Sequence, residues 1–170
     1  MNRLTYRTVA MLLALALLTL SAAAQLPAKQ EGTTPSIEGT YKLMSRQMAD
    51  GTTIKAPAIM GMLTYTKEHR NFNVYWKNAD GKLFSYSLVS TYKLSAAEYT
   101  ETILFSIMND QIGGKDLAYD LTGPTKTAPV AMKDGSITFK LPFDPVTATF
   151  EGGKFTAKSA DFTDYWEKVK

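Results

Sequence analysis

The chain has 170 residues, a formal net charge of +3 and no cysteine, and apolar residues make up 45% of it. Without cysteine the chain has no disulfide, no thiolate nucleophile and no thiolate metal site, and the lipid-modified type of bacterial signal is excluded as well. This length and composition predict one ordinary domain with a single hydrophobic core.

The first 24 residues predict a secretory signal peptide. Arg3 and Arg7 give it a positive start, residues 8 to 20 form an uncharged apolar run of about 13 residues, and Ala24 ends a stretch of small residues that suits cleavage. A membrane-spanning helix needs roughly 20 apolar residues, so the run favours a cleaved signal over an anchor. We therefore expect a periplasmic or secreted protein with no membrane anchor after cleavage, and the lack of cysteine favours a bacterial periplasm.

Cleavage after Ala24 removes two basic residues and lowers the net charge from +3 to +1, which gives a nucleic-acid partner no electrostatic support. Residues 25 to 36 are polar and contain Pro27 and Pro35, a composition typical of a flexible leader. The folded domain is predicted to span residues 37 to 170.

Within this domain, short runs rich in β-forming residues alternate with turn signals such as Asp50-Gly51, Asp80-Gly81 and Asp134-Gly135. The runs show a period of two, which places alternate side chains on opposite faces of a strand. They predict three interior-facing sets: Phe72, Val74 and Trp76; Phe84, Tyr86 and Leu88; and Glu101, Ile103, Phe105 and Ile107. With no long helix to cover a sheet, the pattern predicts an all-β, antiparallel up-and-down barrel of about eight to ten strands.

The C-terminal segment carries a second possible pattern. Phe162, Tyr165, Trp166 and Val169 have the spacing of an apolar helix stripe. We nevertheless favour a strand over residues 159 to 169, because of the resemblance described next.

Several short motifs resemble those of the bacterial lipocalin-like domain. They are Gly39-Thr40-Tyr41-Lys42-Leu43, Gly61-Met62-Leu63-Thr64-Tyr65, Thr91-Tyr92-Lys93-Leu94 and Trp166-Glu167-Lys168. Tyr41 stands where lipocalins commonly have the tryptophan that plugs the closed end of the barrel, and Lys168 stands where the family commonly has arginine. The resemblance implies a lipocalin-type barrel with Trp166 on the last strand, binding of small apolar molecules, and a lid over the open end formed by residues 49 to 58, which can equally be an ordinary loop.

The leading functional hypothesis is therefore a barrel that binds a small apolar or amphipathic ligand in its interior. A barrel of this size has room for side chains alone or for one small ligand, so the hypothesis requires an internal cavity of about 300 Å³ or more. Strand parity selects ten candidate ligand-binding residues: Tyr41, Leu63, Tyr65, Phe72, Val74, Trp76, Tyr92, Glu101, Ile103 and Phe105.

Two alternatives remain open. One is an isomerase or hydrolase of a small ligand that uses Glu101 with a tyrosine, which requires a buried carboxyl group. The other is a structural or protein-interaction domain, which requires a filled barrel and an exposed apolar patch. The only histidine, His69, lies in a predicted turn without a second histidine, so we expect no metal site, no cofactor and, on balance, no enzyme.

Overall fold

The computed structural model describes residues 35 to 170, and all the regular secondary structure in that range is β-strand. The strands are β1 (Gly39–Met48), β2 (Thr53–Ile54), β3 (Ile59–Tyr65), β4 (His69–Lys77), β5 (Leu83–Leu94), β6 (Glu98–Asp110), β7 (Lys115–Asp120), β8 (Thr125–Lys133), β9 (Ser136–Lys140), β10 (Thr147–Glu151), β11 (Lys154–Lys158) and β12 (Phe162–Lys168). Signal residues 1 to 24 and leader residues 25 to 34 lie outside the described range. Within that range no helix is of a length and apolarity that would cross a membrane.

Ten of the strands form a closed antiparallel barrel. Going round the ring, the order is β12, β11, β10, β9, β8, β6, β5, β4, β3 and β1, and β1 returns to pair with β12. Each strand pairs with its neighbour along the chain except where β2 and β7 intervene, so the connections are those of an up-and-down meander. The predicted all-β barrel of eight to ten strands is confirmed.

Each of the two remaining strands pairs with one strand of the ring, on the same side of it as the next ring strand. β2 pairs with β1 through Arg46 and Gln47, within the connection of residues 49 to 58. β7 pairs with the last part of β6, which extends beyond the barrel at that end. Both lie at the end of the barrel that we call the open end, where β1, β4, β6, β9 and β11 terminate.

The opposite end is the closed end, and the segment before β1 helps to cover it. Ile37 is only 1% exposed, and its carbonyl oxygen accepts a hydrogen bond of 3.0 Å from the hydroxyl of Tyr41. The hydroxyl of Tyr92 donates a bond of 2.6 Å to the carbonyl of Thr66 in the β3–β4 turn. These bonds tie the strand ends and the turn together.

The C-terminal segment is a strand, as predicted. In β12, Trp166 pairs with Leu43 of β1 on one side and with Phe155 of β11 on the other. The helix-like spacing is misleading because only alternate residues of β12 enter the core: Asp164 and Trp166 are buried, whereas Tyr165 is 43% exposed. A helix would satisfy its own backbone but would leave the facing edges of β1 and β11 unpaired, so the pairing on both sides of β12 favours the strand.

Aromatic rings fill the barrel beside β9 to β12. Stacked contacts run from Tyr99 to Phe139 at 4.3 Å between ring centroids, from Phe139 to Phe150 at 5.9 Å, and from Phe150 to Phe155 at 4.6 Å. The ring of Trp166 continues this row, lying 5.8 Å from Phe155. The barrel therefore contains a buried aromatic cluster.

Trp166 also packs against β4 and β3, two strands that lie beyond β1 in the ring. Its ring centroid lies 5.8 Å from that of Phe72 on β4. It also covers Gly61 on β3 so closely that a Cβ atom there would lie 2.6 Å from the ring carbon Cη2. Glycine at position 61 is thus what makes room for the tryptophan.

Candidate functional site

The structure places nine of the ten predicted ligand-binding residues on the inner face of the barrel. Seven are buried and two are half-buried against the core: the buried ones are Tyr41, Leu63, Tyr65, Val74, Tyr92, Glu101 and Ile103, and the half-buried ones are Phe72 and Trp76. Their placement follows from strand alternation, since β3, β4 and β5 pair in register with these residues on one face. Whether they bind a ligand stays a prediction.

Phe105 is the exception, and the prediction that it lines the interior is wrong. In the pairing of β5 with β6, Val89 faces Phe105 but Ser90 faces Ile103, so Leu104 is an extra residue in β6. Such a β-bulge reverses the alternation beyond it. Phe105 is consequently 37% exposed on the outside, together with Ile107, while Ser106 is 9% exposed and lies on the inner face.

The interior is accessible from the open end. Four aromatic residues that point inward on β4 and β5 are half-buried instead of buried: Phe72, Trp76, Phe84 and Tyr86. They pair with or lie beside the fully buried Val74 and Leu88, which share their face of the sheet. Solvent therefore reaches this inner wall, and the aromatic side chains form an apolar entrance.

Deeper in the barrel lies a buried ion pair. The Nη1 atom of Arg70 on β4 donates to Oε1 of Glu101 on β6 at 2.8 Å, and both side chains are almost completely buried. The hydroxyl of Ser90 on β5 donates to the same oxygen at 2.5 Å. β5 lies between the other two strands in the sheet, which explains why these three side chains meet.

Several polar atoms around this pair have no hydrogen-bond partner among the described residues. They include Nε of Arg70, Oε2 of Glu101 and the hydroxyls of Tyr65 and Tyr99. All four residues are at most 2% exposed. Buried polar groups in folded proteins are paired in the great majority of cases, so four unpaired atoms in one region are unusual.

The two tyrosines and the ion pair influence one another electrostatically. Burial raises the pKa of Tyr65 to about 12, and both the Arg70 charge and the contact between the Tyr65 and Tyr99 hydroxyls partly oppose this rise. Burial also raises the pKa of Tyr99 well above its usual value, with the neighbouring Tyr65 and Glu101 adding to the effect. For Arg70, burial acts to lower the pKa, but attraction to Tyr65 and Glu101 outweighs it and raises the pKa, so the guanidinium stays charged.

The connection between β9 and β10 brings further polar groups to the open end. Burial raises the pKa of Asp144 in this connection; the charge of Arg70 acts to lower it and that of Glu101 to raise it. Lys126 of β8 is exposed, and its Nζ atom lies 4.9 Å from the ring centroid of Phe143 in the same connection. Asp144 is thus close enough to the buried ion pair for both of its charges to act on the Asp144 carboxyl group.

A second buried ion pair lies on the other side of the barrel. Arg46 of β1 binds Asp164 of β12 through two hydrogen bonds, Nε to Oδ1 at 2.6 Å and Nη2 to Oδ2 at 2.7 Å. The guanidinium carbon lies 3.9 Å from the ring centroid of Phe162. Because both carboxylate oxygens are paired and the arginine is covered by an aromatic ring, this pair has a structural role in joining β1 to β12.

Sequence reasoning missed three members of the buried polar cluster, namely Arg70, Ser90 and Tyr99. Arg70 was placed in a turn with Glu68 and His69, although its position two residues before Phe72 gives it the same parity as the inward set. Tyr99 likewise shares the parity of Glu101. The parity signal for these two residues is therefore present in the sequence, although neither is among the ten residues predicted to bind a ligand.

Two other surface features bear on the hypotheses. A groove of about 310 Å³ is lined by Thr149, Glu151, Gly152, Lys154 and Thr156. These residues alternate with the buried Phe150 and Phe155, so the groove lies outside the barrel, and the interior cavity that ligand binding requires stays a prediction. On the outer side of β7 and just beyond it, Leu117, Tyr119 and Leu121 are each more than half exposed, so a protein-interaction role stays a prediction.

Metal binding finds no support in residues 35 to 170, where no group of three or more histidine, cysteine or acidic side chains is placed to hold an ion. Glu101 is buried, as the enzymatic alternative requires, and that alternative also stays a prediction.

Comparison with known proteins gave no match to a family model, to a curated protein or to a solved structure. The closed antiparallel barrel is compatible with a lipocalin-like fold.

Proposed function

We propose that this protein is an exported lipocalin-like barrel that binds one small apolar or amphipathic molecule in its interior, entering from the open end. The observation that carries the proposal is the group of unpartnered polar atoms on Tyr65, Arg70, Tyr99 and Glu101, buried inside a barrel otherwise lined by aromatic rings. A ligand with an apolar body and a polar end matches both features.

The energetics support this interpretation. A buried polar group left without a hydrogen bond costs about 1 to 3 kcal/mol, so these atoms lower the stability of the ligand-free protein. A bound molecule that pairs with these atoms recovers part of that cost. The half-buried rings of Trp76, Phe84 and Tyr86 offer the apolar contact that makes up most of a small-molecule site.

Location and family belong to the same proposal. The charge and length of the first 24 residues support export to a periplasm or to the outside, with no membrane anchor after cleavage. Tyr41 at the closed end and Trp166 on the last strand support the lipocalin-like assignment. The small net charge of the domain gives no reason to expect a nucleic-acid partner.

The test uses residues 25 to 170, refolded from denaturant to remove any carried ligand, and N-phenyl-1-naphthylamine, a neutral apolar dye that fluoresces in apolar surroundings. We expect saturable binding at one site. Ser106→Phe, which adds a ring to the inner face opposite Leu88, should weaken binding by about tenfold or more because it narrows the space between the entrance and the ion pair.

The matched control is the double variant Leu117→Ser with Leu121→Ser, which removes apolar side chains from the outer surface near β7. Its dye affinity should equal that of the unchanged protein. Absence of dye binding would refute interior binding. Interior binding would also be refuted if the double variant on the outer surface abolished dye binding while Ser106→Phe left it intact. Circular dichroism of each variant verifies that the barrel is folded.

A further inference from the structure

The chemistry of the buried polar cluster restricts the kind of polar end that a ligand can have. The cluster offers one fixed donor, Nε of Arg70, one fixed acceptor, Oε2 of Glu101, and two hydroxyls, on Tyr65 and Tyr99, that can act in either sense. A ligand group that satisfies all of them must be able both to accept and to donate hydrogen bonds.

The charges in the cluster already cancel. The guanidinium of Arg70 is bound directly to the carboxylate of Glu101 at 2.8 Å. Asp144 is the next charged group that acts on the pair, and it is an acid whose own burial disfavours its ionised form. Lys126, which lies opposite Glu101 in the β6–β8 pairing and shares its face of the sheet, is exposed, and its Nζ atom lies near the ring of Phe143.

Apart from the exposed ammonium of Lys126, an anionic ligand therefore meets no positive charge in this part of the barrel that is not already paired. A carboxylate would lose its hydration on entry and would lie near Glu101, which carries the same charge. A cationic group fares better beside Glu101 but cannot accept the hydrogen bond that Arg70 offers. An uncharged group that both donates and accepts hydrogen bonds avoids the repulsion from Glu101 and can still accept the hydrogen bond that Arg70 offers.

Resting on the interior binding proposed above, we infer that the ligand is an uncharged amphiphile whose polar end is a hydroxyl or a primary amide seated on Arg70, Glu101, Tyr65 and Tyr99. The ligand accepts a hydrogen bond from Nε of Arg70 or from a tyrosine hydroxyl and donates one to Oε2 of Glu101. Its apolar part lies towards Phe72, Phe84 and Trp76 at the open end.

The experiment compares three probes with the same chain length, 1-dodecanol, dodecanamide and dodecanoic acid, as competitors of N-phenyl-1-naphthylamine below their micelle-forming concentrations at neutral pH. We expect the alcohol and the amide to displace the dye with affinities about tenfold or more above that of the acid. Equal or tighter binding of the acid would overturn the inference while leaving interior binding intact. Failure of all three probes and of the dye would instead refute the proposed function.

A charge-changing pair of variants sharpens the test. Glu101→Gln leaves Arg70 without its counter-charge, so the affinity for the acid should rise about tenfold relative to that for the alcohol. Glu98→Gln is the matched control, since Glu98 belongs to the same strand but is exposed, and it should leave the order unchanged. If Glu101→Gln folds and keeps the original order, the inference is wrong; if it does not fold, the order measured with the unchanged protein decides.

Discussion

Four buried tyrosines allow one chemical change, the loss of a hydroxyl group, to be compared in two environments. The hydroxyls of Tyr41 and Tyr92 donate hydrogen bonds to backbone carbonyls, at 3.0 Å and 2.6 Å respectively. Those of Tyr65 and Tyr99 lie close to each other, but neither makes a well-formed hydrogen bond with a residue in the range 35 to 170. We predict that tyrosine-to-phenylalanine substitution has opposite effects on the stability of the ligand-free protein in the two pairs.

The magnitudes follow from the cost of hydrogen bonds. Tyr41→Phe and Tyr92→Phe each remove a bond that is made, and each should lower the free energy of unfolding by about 1 kcal/mol. Tyr65→Phe and Tyr99→Phe each remove a buried group that is not paired, and each should raise that free energy by about 1 kcal/mol. For a domain of this length, 1 kcal/mol corresponds to about 3 to 4 °C in Tm.

The assay is urea and thermal unfolding of the four variants after refolding without ligand, with the dye titration repeated on each. Tyr65→Phe and Tyr99→Phe should gain stability and lose affinity for dodecanol, a combination expected of side chains kept for binding. The reasoning is refuted if these two variants lose as much stability as Tyr41→Phe and Tyr92→Phe, because their hydroxyls would then have partners inside the folded protein.

Three further predictions concern other contacts. Arg70→Met should lower the free energy of unfolding by about 3 to 5 kcal/mol, because it leaves the Glu101 carboxylate buried and unpaired. The double variant Arg70→Met with Glu101→Leu should have a free energy of unfolding within about 1 kcal/mol of that of the unchanged protein. Denaturant unfolding measures both values. Gly61→Ala should cost about 1 to 3 kcal/mol in the same assay, because its methyl group overlaps the ring of Trp166. Asp144→Asn should raise Tm at neutral pH, because burial raises the pKa of Asp144 in the folded protein. The unchanged protein therefore loses stability as pH rises from about 3.8 through that raised pKa. Below this pH range the difference in Tm between the two proteins should vanish.

Each of these predictions has a clear contrary result. A double variant as unstable as Arg70→Met alone would show that the pair does not act as a unit. Met62→Ala, an outward-facing change on the same strand as Gly61, is the control for Gly61→Ala and should alter stability by less than about 0.5 kcal/mol. A Tm difference for Asp144→Asn that is constant from acid to neutral pH would rule out titration of Asp144 as its cause.

Much of the barrel was predictable because its strands follow simple alternation. The inward sets containing Phe72, Val74 and Trp76 and containing Phe84, Tyr86 and Leu88 lie where a period of two places them. The closing strand was predicted correctly only with the help of the resemblance around Trp166, since the apolar spacing there equally fits a helix. Alternation identifies the faces of a strand, whereas pairing across the sheet decides whether the segment is a strand at all.

The errors have local causes. The extra residue Leu104 reverses the faces of the rest of β6, and nothing in the composition near Phe105 marks a bulge. Strand parity placed Glu101 with the inward residues but gave no sign of its partner, because Arg70 lies 31 positions earlier and only the meeting of β4, β5 and β6 brings the two together. A polar cluster assembled from three strands depends on their register, which short sequence motifs do not specify.

The pairing of the first strand with the last has a consequence for how the molecule is made. Tyr41 pairs with Lys168, and the backbone N–H of Val169 donates to the carbonyl of Thr40 at 2.7 Å. Contacts between residues so far apart in sequence are slow to form, and here the ring cannot shut until the final residues have been synthesised. A chain still emerging from the ribosome therefore has two unpaired strand edges, those of β1 and β11. The same edges make a prematurely terminated chain prone to aggregate.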